Sequence, residues 1–174
     1  TMSNVALLKR LRSSGDWLRE LSRRMFESTR CEQLSRLAPE GRRLRAVDAT
    51  TVEEPGATGT NWRVHFSITL PDMACDFYDL SDVRGGESYK RMAVTPGDII
   101  LADRGYCQRE GVAHVLQLGG DVIVRLNSTS FPMLKAQEDS AFNLLEHLRE
   151  LDTLGAGEWP VRFQAAGKTW RARL

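Results

Sequence analysis

Pro96-Gly97-Asp98-Ile99-Ile100-Leu101-Ala102-Asp103 reads as a tight turn, an unbroken apolar run and an acid at its end. A short continuous run bounded by turn residues is expected of a strand covered on both faces, as in a parallel sheet with helices against it. The downstream residues agree: Arg109–Leu118 reads as a helix, Gly119 and Gly120 stop it, and Val122–Leu126 is the next strand. Upstream, Leu44–Asp48 is a strand that also closes on an aspartate, and a loop around Pro55, Gly56 and Gly59 comes after it. Val64, Phe66, Ile68 and Leu70 then alternate with Arg63, His65, Ser67 and Thr69, the period of a half-buried strand. Pro71 and Asp72 turn the chain, and Cys75–Leu80 returns as the hairpin partner. Gly85 and Gly86 open a loop, and Glu87–Met92 reads as one or two helical turns. The order strand, strand, strand, helix, strand, helix, strand predicts an α/β fold with a mixed five-stranded sheet.

The flanks have a different character. Asn4–Arg12 and Trp17–Glu27 read as two short helices, with Ser3 and Asp16 as N-caps and Ser13, Ser14 and Gly15 as the break. Leu7, Leu8 and Leu11 form one apolar stripe and Trp17, Leu18, Leu21 and Met25 the next, leaving Lys9, Arg10, Arg12, Arg19, Arg23 and Arg24 on other faces. After Asn127 comes a polar stretch, Ser128–Ser140, then an amphipathic segment, Phe142–Leu154. Trp159–Gln164, a turn near Gly167 and Thr169–Leu174 read as a hairpin with a truncated second strand. With Thr1 at one end and a cut strand at the other, the sequence reads as a piece of a longer protein.

Composition excludes several classes. With 174 residues, 41% of them apolar and 27% charged, the chain can bury one core and is not a disordered tail. Cys31, Cys75 and Cys107 lie far apart, so neither zinc spacing nor an even disulfide set is available. There is no apolar run of about 18 residues and no leader pattern, so neither a membrane span nor a signal peptide is expected, and a cytoplasmic location fits. The charge is uneven. Through Val47 there are 11 Lys or Arg against 5 Asp or Glu; from Asp48 on there are 13 against 18. A basic leader on an acidic body suits a polyanion-binding segment joined to a metal-binding one, although a solvated basic helix surface explains the leader equally well.

Asp48 and Asp103 carry the chemistry. Each ends a strand expected to be buried, where an uncompensated carboxylate costs several kcal/mol, about 2–7 for even a neutral polar group. A divalent cation is the natural compensator. If the two strands are neighbours and parallel, both acids meet at the sheet end where α/β folds bind ligands. Hard oxygen donors favour Mg²⁺ or Mn²⁺, and two such ions can activate a water or a 3′ hydroxyl against a phosphodiester. An Asp at a strand end is, however, more often a turn former or a helix cap, and spacing alone leaves the two-metal site the less favoured reading.

The residues Ala46-Val47-Asp48-Ala49-Thr50-Thr51, Trp62-Arg63-Val64-His65, Gly85-Gly86-Glu87 and above all Pro96-Gly97-Asp98 leading into Leu101-Ala102-Asp103-Arg104-Gly105-Tyr106 together resemble the DDE transposases of the insertion-sequence-four type. Ala6-Leu7-Leu8-Lys9-Arg10-Leu11 and Asp16-Trp17-Leu18 are similar to the end of that family's N-terminal helical region. The resemblance implies an RNase H-like catalytic core over residues 42–127, preceded over 1–41 by the end of a helical DNA-binding region. Residues 128–174 would begin a β-rich insertion. It implies that Asp48 and Asp103 are the first two catalytic acids and bind Mg²⁺, with Mn²⁺ as a substitute. The partners implied are double-stranded DNA, both transposon ends and target, and a second copy in a homodimeric synaptic complex at a bacterial nucleoid. The family's third acid is a glutamate on a later helix, flanked by a tyrosine, an arginine and a lysine; that pattern is missing here, so residues 1–174 alone are expected not to cleave DNA efficiently.

Other residues are expected to assist or to stand aside. Lys9, Arg10, Arg12, Arg19 and Arg23 would contact phosphates. Arg104 and Tyr106 come directly after the second acid and could touch the scissile phosphate, hold the carboxylate or, for Tyr106, cap the core. Arg63 and His65 are expected to point away from the apolar face of their strand and could line a DNA-facing surface. Glu138 lies near the separation from Asp103 familiar in integrases without an insertion, but lacks the flanking residues and is expected in a surface loop. Trp159 and Trp170 could stack on a base but suit hairpin packing better. His114 and His147 have no nucleophile or metal partner in the pattern. The rival functions are a non-transposing nuclease of the same fold and a remnant that only binds DNA.

Overall fold

A computed structural model describes residues 3–17, 20–21, 24, 38–53, 56, 58–59, 62–70, 73–151 and 155–174. The second helix expected over Trp17–Glu27 falls largely outside the described residues, as do Arg19, Arg23, Met25 and Cys31. Helix α1 spans Asn4–Ser13. Ser3 caps it as expected, its Oγ accepting from Ala6 N at 3.2 Å.

Five strands form one sheet: β1 (Arg43–Val52), β2 (Trp62–Leu70), β3 (Ala74–Asp82), β4 (Asp98–Ala102) and β5 (Asp121–Val124). Their order is β3-β2-β1-β4-β5, with β2 antiparallel to β1 and β3, and β4 parallel to β1 and β5. This is a mixed five-stranded α/β sheet compatible with an RNase H-like arrangement. The one or two helical turns expected over Glu87–Met92 are a single 3-10 turn, Tyr89–Arg91. Helix α2 (Arg109–Gln117) crosses between β4 and β5 and lays Val112, Ala113 and Val115 on the sheet. Gly119, at φ +81°, ends it, because few side chains tolerate the left-handed turn that caps a helix.

Alternation divides the sheet into two unlike faces. Val47, Ile100 and Ala102 lie on the face covered by α2, Tyr89 and Tyr106. Leu101, Leu80, Tyr78 and Ile123 lie on the other, where they are 40–65% exposed. The Ile99–Ala102 run is therefore covered on one face only among the described residues, contrary to the expectation of two. The polarity of β2 also misled: His65 and Ser67 lie on the covered face and are buried, while Val64, Phe66 and Ile68 are half-buried.

The polar side chains on the covered face are satisfied by partners. Arg45, 2% exposed, donates to Asp98 Oδ2 at 3.0 Å and Ala93 O at 2.7 Å, and pairs with Asp76 at 2.9 Å. The register of β2 and β3 shifts between Ser67 and Ile68, and the extra residue on β3 is Asp76. The bulge is what turns Asp76 toward Arg45. Arg43 adds a second link to Asp98 at 2.7 Å. This ionic cluster clamps β1 to β4 at the start of their parallel pairing.

A second sheet, β6 (Leu134–Lys135), β7 (Pro160–Ala165) and β8 (Lys168–Arg173), packs on α2. The β7–β8 hairpin turns through Ala166 (φ 51°) and Gly167 (φ 69°), the paired left-handed residues of a two-residue turn that matches strand twist. Within the stretch expected to be merely polar, Phe131 and Met133 are buried and join Phe163, Val161 and Ala165 in the same apolar core as Ile100 and Val115. Phe131 and Phe163 rings lie 4.8 Å apart. In sequence between β6 and β7 is α3 (Leu144–Arg149), shorter than the segment expected to Leu154; residues 152–154 lie outside the described residues. Among the described residues no helix is long and apolar enough to cross a membrane.

Candidate metal centre

Parallel pairing brings the two acids together. The β1–β4 register runs from Arg43↔Asp98 to Val47↔Ala102, and one residue further along each strand stand Asp48 and Asp103. Neighbouring strands lie about 4.8 Å apart, so the backbones of the two acids are about that close at the sheet end where β4 stops. Asp48 does not end its strand as expected. The β1 strand continues against β2 to Val52↔Trp62, carried by the β-branched Thr50, Thr51 and Val52, while β4 stops at Ala102. The strand that ends beside Asp48 is its neighbour, and that opens the space.

Local hydrogen bonds hold both carboxylates. Asp103 is extended (φ −82°, ψ −175°) and caps a 3-10 turn, Arg104–Tyr106, its Oδ1 accepting from Gly105 N at 2.8 Å. Its Oδ2 faces Arg125 Nη2 at 3.9 Å. Asp48 Oδ1 accepts from Ala49 N at 2.8 Å. Both acids are exposed, so the burial expected to demand a compensating cation is absent.

A third acid stands close by. The side chain of Glu87, on the loop before the Tyr89–Arg91 turn, is half-buried, and burial raises its pKa, with the charge of Asp103 as the next cause; Arg63 opposes the rise and Asp48 adds to it. Tyr106 is 1% exposed, with its ring 5.2 Å from that of Tyr89. Burial, then the charges of Glu87, Asp48 and Asp103, push its hydroxyl well above the usual phenol range. Tyr106 is thus a neutral floor beside the three acids, which fits its role as a core cap and keeps it from the surface. As placed, no three His, Cys, Asp or Glu side chains among the described residues form a ready coordination sphere. Glu87 stands within a sequence motif that gives it no role; neither its polarity nor Arg125's betrays a site until the loops are folded.

The remaining candidates are scattered. His65 is 1% exposed, with Nε2 2.9 Å from Ser81 Oγ and Nδ1 without a partner; burial, then the charge of Arg91, lowers its pKa. It does not face solvent, which corrects the expected orientation. Arg63 is half-buried and donates to Gly85 O at 3.4 Å; Arg104 is exposed and donates to Asn127 Oδ1 at 3.3 Å. Lys9 and Arg10 are exposed on α1; Arg12 is in α1, with its side chain outside the described residues. Glu138 is at the surface in a local link to Lys135 Nζ (3.2 Å) and Ser140 Oγ (3.0 Å). Trp170 Nε1 donates to Ala165 O at 3.2 Å, and Trp159 packs near His147 and Phe142, so both tryptophans brace the hairpin region. His147 stacks on Phe142 with centroids 4.3 Å apart. His114 is half-buried on α2. A cleft of about 620 Å³ between β5, α2 and the β7–β8 hairpin is lined by none of the three acids.

Over its whole length the chain is 35% identical to a protein named putative transposase InsL for insertion sequence element IS186A, from Escherichia coli strain K12, and covers 48% of it. It is likewise 35% identical to the transposase for insertion sequence element IS421 from Escherichia coli, of which it covers 47%. The chain thus spans about half the length of the curated relatives it matches. No family model matches it, and no solved structure matches it.

Proposed function

We propose that the chain is the RNase H-like part of a DNA transposase of the DDE type, in which Asp48 and Asp103 bind Mg²⁺ or Mn²⁺. The single observation behind this reading is the parallel β1–β4 register, whose last pair, Val47↔Ala102, directly precedes the two acids at one end of the sheet. Relatives named as insertion-sequence transposases over the full length of the chain support it independently.

The donor set suits a hard divalent cation. Two carboxylates on neighbouring strands repel, and a cation between them reverses that sign. Each acid accepts a backbone N–H on Oδ1, which fixes its orientation, and Asp103 Oδ2 faces Arg125 at 3.9 Å; carboxylate oxygens keep further lone pairs with which to coordinate a cation. Bound there, the ions would supply an activated water or 3′ hydroxyl and stabilise the leaving oxygen of a phosphodiester. The protein's part is to orient the carboxylates, to keep Tyr106 neutral beneath them and to offer cationic Arg104 and Arg125 at the rim for a phosphate backbone. Lys9 and Arg10 on α1, with Arg12, Arg19 and Arg23, add sequence-independent phosphate contacts. Buried His65 and Tyr106 are left out of that surface.

The activity proposed for the whole protein is cleavage at transposon ends and joining of the freed 3′ ends to target DNA, by a homodimer acting on the nucleoid of a bacterial cell. Residues 1–174 alone are proposed to bind cation without efficient cleavage. A strand-transfer assay on the full-length protein tests the reading: transfer should require Mg²⁺ and vanish in Asp48→Asn and Asp103→Asn. Cutting without joining would favour a nuclease, and unchanged DNA binding and biological effect in Asp48→Ala would favour a binding remnant.

A further inference from the structure

We propose that Glu87 is a third carboxylate ligand of the cation site formed by Asp48 and Asp103, and that Gly105 is a glycine because Glu87 occupies the space of its side chain. This rests on the proposed reading of the two aspartates and extends it to a residue on a different loop.

The geometry is specific to this corner of the molecule. A Cβ on Gly105 would stand 1.5 Å from Glu87 Oε2 and 3.2 Å from Asp103 Oδ1. The two oxygens therefore border one small space and are no further apart than those distances laid end to end, comparable to the span across one divalent ion with ligands at about 2.0 to 2.6 Å. Gly105 has an ordinary backbone, with no positive φ, so conformational freedom does not account for the glycine. Close approach of a carboxylate does. Gln108 holds the two loops together, its Nε2 donating to Glu87 O at 3.4 Å and to Gly105 O at 3.3 Å.

A second observation lies on the same loop. The hydroxyl of Tyr89, two residues after Glu87, is buried without a hydrogen-bond partner, and its ring lies 5.2 Å from that of Tyr106. Buried polar groups in this condition commonly take an ordered water, and the hydration shell of a cation held by Asp103 would provide one. No three acids among the described residues converge as placed, but Glu87 already sits beside Asp103 over Gly105, and small side-chain adjustments that keep it on that seat would gather the three around one ion. The order of the three acids along the chain, with Glu87 between the aspartates, is a consequence of the sheet: β1 and β4 supply the pair, and the crossover between them passes over their open end.

The test is a Mn²⁺ titration of the 174-residue chain, monitored by the electron paramagnetic resonance of the free ion, with thermal unfolding in chelator as companion. Glu87→Gln should weaken Mn²⁺ binding about tenfold, the scale on which support of a metal site is lost. Gly105→Ala, which places a carbon on the seat of the carboxylate, should weaken it to a similar degree with Asp48, Glu87 and Asp103 all retained. In chelator, Glu87→Gln should melt no lower than the unsubstituted chain, because removing one of three neighbouring negative charges relieves repulsion. Binding within twofold of the unsubstituted chain in Glu87→Gln, while Asp103→Asn abolishes it, overturns the role of Glu87 and leaves the aspartate pair standing. A melting temperature lowered in chelator by several degrees overturns it in favour of a structural role. Undiminished binding in both Asp48→Asn and Asp103→Asn removes the underlying reading and this one with it.

Discussion

Replacing Asp98 by asparagine should unfold the chain more easily by about 3 kcal/mol at pH 7. The Asp98 side chain is 1% exposed and accepts from Arg43 Nε (2.7 Å), Arg45 Nη1 (3.0 Å) and Thr95 N (3.0 Å). Breaking a buried ion pair by removing one partner costs about 3 to 5 kcal/mol; the low end applies because Arg45 keeps Asp76 at 2.9 Å. The titration gives an independent figure. Burial disfavours the Asp98 carboxylate, but hydrogen bonds from Arg43, Thr95 N and Arg45 outweigh it and bring the pKa down to about 2. Against about 3.9 in an unfolded chain, that depression is worth roughly 2 to 3 kcal/mol. A folded-state pKa below the unfolded one stabilises fully above about pH 4 and is lost as pH falls toward 2. Urea unfolding of Asp98→Asn and the unsubstituted chain, monitored by circular dichroism, should therefore show a gap of about 3 kcal/mol at pH 7 that narrows by about half at pH 3. A gap under about 0.5 kcal/mol at pH 7, within the ordinary range of surface substitutions, would show that the cluster does not hold β1 to β4, and a gap of equal size at both pH values would show that its charge is not the cause.

Three further outcomes are expected. Phe131→Ala, which removes a ring 5% exposed and 4.8 Å from Phe163, should cost about 3 to 5 kcal/mol in the same unfolding assay, against under about 0.5 for a residue in a solvated loop. Ala166→Gly should raise stability by about 0.5 to 1 kcal/mol, since φ 51° strains an alanine more than glycine's extra unfolded-chain entropy costs; a lower melting temperature would count against the turn geometry. Asp48→Asn, at an exposed position, should leave unfolding in chelator within about 0.5 kcal/mol of the unsubstituted chain while reducing Mg²⁺-dependent strand transfer by the full-length protein at least about 100-fold.

The sheet could be read from the sequence because its signals are local. The Ile99–Ala102 run, the alternation in β2 and the helix ended by Gly119 each name an element without reference to the rest. The β7–β8 hairpin was legible for the same reason. Which face of β2 is buried was not, because His65 and Ser67 are polar and become interior only through Ser81, Arg45 and the turn before β4. Apolar residues alone pointed to the wrong side. Phe131 and Met133 were hidden by the polar residues around them, and Asp76 by a bulge that shifts register without any mark in composition. Of the site, Asp48 and Asp103 were legible as acids at the ends of apolar runs, and their neighbourhood depended on the strands being parallel, which they are. Glu87 had no such signal: its place beside Asp103 depends on a crossover loop and on a glycine two residues beyond the aspartate.

Whether Asp48 and Asp103 share a cation is decided most plainly by anomalous diffraction from crystals of the chain grown with Mn²⁺. A manganese peak within coordinating distance of both carboxylates is expected. At a saturating concentration, density confined to other sites, with those two carboxylates left bound only to backbone amides and Arg125, would leave the two acids without the role assigned to them.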